Sequence, residues 1–259
     1  MEEMTGRMNM KNSKSIGNIY RKEEVGVYYE MIGRNIEARS DDDKYLVGIL
    51  PNNLEGKSVL DIGCGNGRYA DLFCKLGAEE VIGFDLSEEM IAEAQKRKLQ
   101  NGLTQLQIIR ADINEMPFIG PEFHLIFSRF SLMYGKDLNA VVETIEQILK
   151  DKGEMYALTN IAFISKPDLF KQIKEEPVPL ELVIGDKKIR IWNYAHTLED
   201  YKKAFARAHL ALEDEKYFNA IGLSVMPDYK YKNEIHFRRG VFKLLKRKKV
   251  PSIILRDSP

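Results

Sequence analysis

The sequence predicts an α/β fold, a mostly parallel sheet with helices on both faces, and three observations point there. Short apolar strands alternate with helical segments of about ten residues between positions 58 and 158, the rhythm of βαβ units. The first of these strands runs into a cluster of glycines, where a strand in such a sheet hands over to its helix. Hydrophobic residues make up 44% and charged residues 30% of the 259, which allows a substantial core in an ordinary globular chain.

Each element follows from local signals. Residues 1–18 are polar and read as a loose arm, and Tyr20 to Leu50 carries helical apolar spacing through Val27, Met31, Tyr45, Leu46 and Ile49. Pro51, Asn52 and Asn53 break that pattern. Ser58 to Ile62 is the first strand. A helix follows from Arg68 to Leu76 and stops at Gly77, a natural residue for the turn past a helix end. Val81 to Phe84 is the second strand. Ser87 caps the next helix, with Glu88 and Glu89 at the positive end of its dipole. That helix carries Met90, Ile91 and Ala94 and stops before Gly102. Strands are expected at Leu106–Ile109, Phe123–Phe127 and Gly153–Leu158, with a helix at Leu138–Leu149.

After Asn160 the rhythm breaks. Residues 161–196 hold three prolines and a hairpin, Leu180–Ile184 with Lys188–Trp192, turning at Gly185 and Asp186. Thr197 with Asp200 forms a capping signature for a helix through Ala208. Strands near Leu210–Glu215 and Glu234–Arg238 would close the sheet, and the stretch from Val241 reads as a basic, solvated tail.

Composition excludes several function classes. Lys plus Arg and Asp plus Glu are equal at 39 each, so no global charge draws the chain to nucleic acid or an anionic membrane. Cys64 and Cys74 lack metal-ligand spacing and read as thiols of a reducing compartment. Neither a secretory leader nor a bilayer-length apolar run is visible, so a cytoplasmic protein is expected.

The chemistry is carried by Asp61-Ile62-Gly63-Cys64-Gly65-Asn66-Gly67. Glycines at alternate positions let the backbone turn tightly and approach a ligand closely. Their spacing differs from the Gly-x-Gly-x-x-Gly of dinucleotide sites, which disfavours a nicotinamide-dependent oxidoreductase. Asp61 would repel a pyrophosphate yet suits a ligand bearing an ammonium and a sulfonium. Asp85 ends the second strand, where a carboxylate can take both ribose hydroxyls. Asp112, after the third strand, could accept from an adenine amino group or serve merely as a loop carboxylate.

Residues 57–160 thereby resemble the class I S-adenosylmethionine (SAM)-dependent methyltransferases, especially their small-molecule branch. The matching strings are Val59 to Gly67, Gly83-Phe84-Asp85-Leu86-Ser87 with Met90, Ala111-Asp112-Ile113, and Leu149 to Gly153 as the turn into the fifth strand. The resemblance implies a Rossmann-like, seven-stranded, mostly parallel sheet with an antiparallel final strand. It implies a cofactor site of Asp61, Gly63, Cys64, Gly65, Asp85, Leu86, Met90, Asp112, Ile113 and Ser128, with Phe127, Ser128 and Arg129 below the sulfonium and S-adenosylhomocysteine as product.

Methyl transfer from a sulfonium mainly requires alignment, worth roughly 7–11 kcal/mol, and a base only for a protonated acceptor. Ser128 to Tyr134 lacks the acidic-or-Asn and diproline box of enzymes that methylate nucleic-acid amines. A small-molecule acceptor is therefore expected, in a monomer or homodimer, with an RNA- or protein-modifying enzyme as the alternative. The N-terminal helix and the 161–196 insertion are expected to form a lid. Candidate acceptor-side residues are Tyr28, Tyr29, Trp192 and Tyr194, with His196, Arg129 and Tyr134 as candidate catalytic groups; His124, inside a strand, reads as structural.

Overall fold

The computed structural model describes residues 40–247 apart from 121, 167, 170–172, 174–175, 185–186 and 221–222. Its main sheet has the order β3-β2-β1-β4-β5-β10-β8. The strands are β1 (Ser58–Ile62), β2 (Glu80–Asp85), β3 (Leu106–Arg110), β4 (Phe123–Arg129), β5 (Leu149–Ile164), β8 (Leu210–Asn219) and β10 (Ile235–Lys246). The first five pair in parallel, and β10 runs antiparallel between β5 and β8. Strand order reverses at β1 and β4, the switch point beside which ligands bind in open α/β sheets.

Successive residues of these strands serve opposite cores, as a period of two requires. Leu60, Ile126 and Phe242 pack under α4 (Leu138–Ile148) and α5 (Leu198–Arg207). Their neighbours Val59, Leu125 and Val241 pack under α1 (Asp41–Gly48), α2 (Arg68–Lys75) and α3 (Glu88–Gln100). Both faces of the strands are therefore apolar and both are covered by helices. The caps are those written locally. Ser87 Oγ accepts from Met90 N–H, and Thr197 with Asp200 forms a reciprocal capping box.

Three expectations need correction. Tyr20–Leu50 is not one helix: Ser40 is extended and α1 begins at Asp41, whose turn of three aspartates favours a helix start. Tyr28, Tyr29 and the rest of 1–39 lie outside the described residues, as do Lys248 and Lys249. The fifth strand reaches well beyond Leu158, to Ile164, so the first part of the 161–196 segment extends the sheet.

The stretch from Val241 is no solvated tail up to residue 246. It is the middle and end of β10, with Val241, Phe242 and Leu244 fully buried. Its charges misled because their partners are distant in sequence. Buried Lys246 binds the carbonyls of Glu146 and Leu149 at 2.6 and 2.7 Å and the Glu146 carboxylate at 3.1 Å, closing the end of α4. Lys243 pairs with Glu154 at 2.9 Å.

The insertion's hairpin of β6 (Val178–Ile184) and β7 (Lys187–Asn193) is joined by β9 (Leu223–Val225), from the connection between β8 and β10, in a small antiparallel sheet. The hairpin is present as expected, with its turn at Gly185 and Asp186 outside the described residues; β9 carried no recognisable signal. Val178, Leu180 and Ile191 join Ala162 and Ile235 of the main sheet in a third core. Among the described residues no helix is long and apolar enough to cross a membrane.

Candidate active site

β1 delivers the glycine loop to the carboxyl edge of the sheet. Gly63 has φ +66°, and a Cβ there would lie 1.9 Å from Ser131 Oγ, so the loops after β1 and β4 can touch only because this residue has no side chain. Gly65 has φ +53°, and its missing Cβ would meet nothing nearer than Met90 Sδ at 4.0 Å, leaving an open face on the loop.

Asp85, at the end of β2, braces that loop. Its Oδ2 accepts Gly65 N–H and its Oδ1 accepts Ser87 N–H, each at 2.9 Å. Burial raises its pKa, and the backbone amides of Ser87, Gly65 and Leu86 oppose the rise. Asp61 is buried, and its Oδ2 has no hydrogen-bond partner among the described residues. Burial, with Asp85 nearby, pushes its carboxyl up to about 8, against the opposing backbone of Ala70 and the charge of Arg129. An acid in that state calls for a cation. The Cys64 thiol is raised by burial and by Asp61 and Asp85, which makes it a poor nucleophile.

The other cofactor-side candidates continue along the same edge. Met90 is buried beneath Gly65, while Leu86 and Asp112 are partly exposed. Asp112 caps a 3-10 turn, accepting from Asn114 N–H at 2.9 Å, and Ile113 packs into the core against Phe84. Phe127 is sealed under the Tyr69 and Phe73 rings. Ser128 is fully buried with a partnerless hydroxyl oxygen.

The three candidate catalytic groups are each engaged elsewhere. His196 is buried, with Nε2 at 2.7 Å from the Gly135 carbonyl oxygen and its ring edge-on to Tyr201. Arg129 binds Asp43 of α1 at 2.7 Å and stacks over Phe130 and Tyr69. The Tyr134 hydroxyl is raised by burial. Tyr194 donates its backbone N–H to the Met133 carbonyl, and burial, with Asp112 adding to it, raises its hydroxyl pKa. Trp192 is half-buried on β7. His124 lies within hydrogen-bond distance of Ser58 N and Oγ inside the sheet, a structural role.

Sequence reading missed the layer joining α1 to the site. Asp43 also accepts from Tyr69 OH, while Asp42 pairs with Arg239 of β10 at 2.8 Å. The Arg129 and Arg239 guanidinium groups both lie over the Phe130 ring, 4.8 and 5.2 Å from its centre, and Phe130 itself holds φ +56°. That left-handed conformation is costly for a bulky residue and tends to occur where a site over-determines the backbone. Asp42 lies 197 residues from its partner, so spacing could not reveal the pair. The only signal was a run of three aspartates in a helical segment.

Comparison with known proteins follows the same edge. A family model described as a methyltransferase domain matches residues 53–209, more than half of the chain. The chain is 30% identical over 122 residues to a malonyl-[acyl-carrier protein] O-methyltransferase of Enterobacter lignolyticus, covering 46% of each chain. It is 25% identical over 180 residues to a sterol 24-C-methyltransferase of Gibberella zeae, covering 68% of this chain and 45% of the relative. The chain spans about half the length of the curated relatives it matches. The crystal structure of a SAM-dependent methyltransferase from Mesorhizobium loti superposes with a TM-score of 0.56 at 19% identity, over 78% of this chain and 98% of that one, a likeness of fold.

Proposed function

The chain belongs to the methyltransferase domain family, and from that premise we propose that it transfers a methyl group from SAM to a small-molecule acceptor. The observation that carries the reading is the partnerless, buried oxygen of Asp61 beside a loop whose Gly65 face is open. An unpaired buried carboxyl costs stability unless a ligand satisfies it, and a methionine ammonium does so with opposite charge.

The residues fit the cofactor. Asp61 holds the ammonium, while Gly63, Cys64 and Gly65 supply backbone at close range. Asp85 keeps lone pairs beyond its two amide bonds for ribose hydroxyls, and it is partly exposed to reach them. Leu86, Met90, Asp112 and Ile113 form the adenine end, and Ser128 with Arg129 floors the reacting end. SAM supplies, when bound, an electrophilic methyl on a good leaving group.

What the chain then has to do is orient the acceptor and keep water away. The small sheet of β6, β7 and β9, with α1, is the part we assign to that task. His196, Arg129 and Tyr134 serve it as positioning residues: His196 is held at the Gly135 carbonyl, Arg129 by Asp43, and Tyr134 packs against the core under α4. The relatives that act on a malonyl thioester carrier and on a sterol, by their names, support a small-molecule class.

Isothermal titration with SAM and with NADH tests the reading. Saturable heat is expected with SAM and none with NADH; the reverse would refute the glycine-loop assignment.

A further inference from the structure

One carboxamide stitches the loop after β3 to the loop after β4. Asn114 donates from Nδ2 to Asp112 Oδ1 at 2.8 Å and to the Tyr134 carbonyl at 3.3 Å, and its Oδ1 accepts the Lys136 N–H at 2.8 Å. Asp112 Oδ1 also accepts the Asn114 backbone N–H at 2.9 Å. Both donors fall on the same carboxylate oxygen, which sets the direction of the group and leaves Oδ2 for a ligand.

Asn114 is exposed, and a hydrogen bond that water can replace adds only about 0.5–1.5 kcal/mol to stability. What three such bonds on one short side chain supply is position. They hold Tyr134 and Lys136, 20 and 22 residues further along the chain, at a fixed distance from Asp112.

The turn that Asn114 grips is also the seat of the acceptor-side segment. The Tyr194 N–H donates to the Met133 carbonyl at 3.0 Å, and His196 Nε2 donates to the Gly135 carbonyl at 2.7 Å. Ser131, at the head of the turn, is the residue pressed against Gly63. Backbone groups therefore alternate along it: those of Tyr134 and Lys136 go to Asn114, those of Met133 and Gly135 to Tyr194 and His196. With two soft dihedrals per residue, one set cannot shift without the other. Gly135 leaves little slack, since a Cβ there would meet Val141 Cγ2 at 3.0 Å and the Leu132 carbonyl oxygen at 3.3 Å.

We infer that Asn114 is a positioning residue that couples the purine end of the cofactor site to the acceptor wall. It orients Asp112 for the exocyclic amino group of adenine and, through the turn at 131–136, makes occupation of that end firm the contact to Tyr194 and His196. The inference rests on the methyltransferase reading above and deepens it.

The test uses the full chain and two ligands, S-adenosylhomocysteine and S-inosylhomocysteine, whose purine carries a carbonyl in place of the amino group. Titration of the wild type is expected to favour the adenosyl ligand at least about tenfold, the worth of one hydrogen bond to a carboxylate. Saturation with that ligand should slow hydrogen exchange of the Tyr194 amide, read by NMR, at least about fivefold. Asn114→Ala removes all three side-chain bonds. Asn114→Asp keeps an acceptor for the Lys136 N–H but offers no donor and sets a second negative charge against Asp112. In both variants the purine preference should fall to about threefold or less and the exchange response should vanish, with melting within roughly 4 °C of wild type. A merely structural Asn114 would lower the melting temperature and leave the purine preference and the exchange response intact, which would overturn the inference. Survival of either one in both variants would do the same. So would a wild type that binds the two purines equally, or whose Tyr194 amide exchanges alike with and without ligand. Failure of the wild type to bind S-adenosylhomocysteine would instead overturn the reading beneath it.

Discussion

The β1–β3 side of the cleft and the β5–β7 side are built from different materials. On the first, the defining groups are close in sequence: Gly65 N–H reaches Asp85 across 20 residues, and Asp85 and Asp112 cap the turns that follow them. Backbone amides satisfy these two carboxylates, whereas Asp61 keeps an open oxygen. On the second, the order comes from pairs that span the chain, Asp43 with Arg129 and Asp42 with Arg239, separated by 86 and 197 residues. One side is a local motif that a short peptide pattern can encode. The other exists only after the sheet has closed.

That contrast makes distinct predictions for the two sides. The largest loss of stability is expected from Asp43→Ala, which takes a carboxylate away from Arg129, itself only 12% exposed. Losing one member of a buried pair costs about 3–5 kcal/mol, so thermal melting should drop by roughly 10 °C. Adenosylhomocysteine affinity should change far less. An equal loss of both would mean the sides are not separable.

Gly65→Val is expected to act the other way. Its branched side chain disfavours φ +53° and projects over the open face, so titration should show affinity reduced by at least about 100-fold, the equivalent of 2.7 kcal/mol. Retained affinity would remove the loop from the site. Asp85→Ala removes the acceptor of two backbone amides as well as the ribose contact. A loss of roughly 10- to 100-fold in affinity is expected, with the circular dichroism spectrum unchanged.

A pH-dependent effect concerns Asp61 without ligand. Its folded pKa of about 8 lies above the ordinary 3.8, so the folded state holds the extra proton between these values. Stability contributed by that proton is present at low pH and fades as pH rises toward 8. Asp61→Asn should therefore melt above wild type at pH 8 and show a smaller gain at pH 5. A variant less stable than wild type at pH 8 would mean the carboxylate is already satisfied.

The same division explains what could be read from the chain alone. The parallel strands, the Ser87 cap and the Thr197–Asp200 box were legible because their signals are local. The middle of β10 was not, since Lys243 and Lys246 look solvated until Glu154 and the end of α4 are brought beside them. The cofactor-side candidates were brought to one edge. Of the acceptor side, Tyr28, Tyr29, Arg129, Tyr134, Trp192, Tyr194, His196 and the β6–β7 hairpin were named in advance, without the ion pairs that tie α1 to β4 and β10.

Proton release on ligand binding tests the role of Asp61 most directly. Titration of the protein with S-adenosylhomocysteine at pH 7, in buffers of differing ionisation enthalpy, reports how many protons leave when the ammonium arrives. The account predicts binding with net release of close to one proton in wild type and none in Asp61→Asn, whose affinity should also be much lower. Tight binding with no buffer dependence, or equal affinity in the variant, would contradict it.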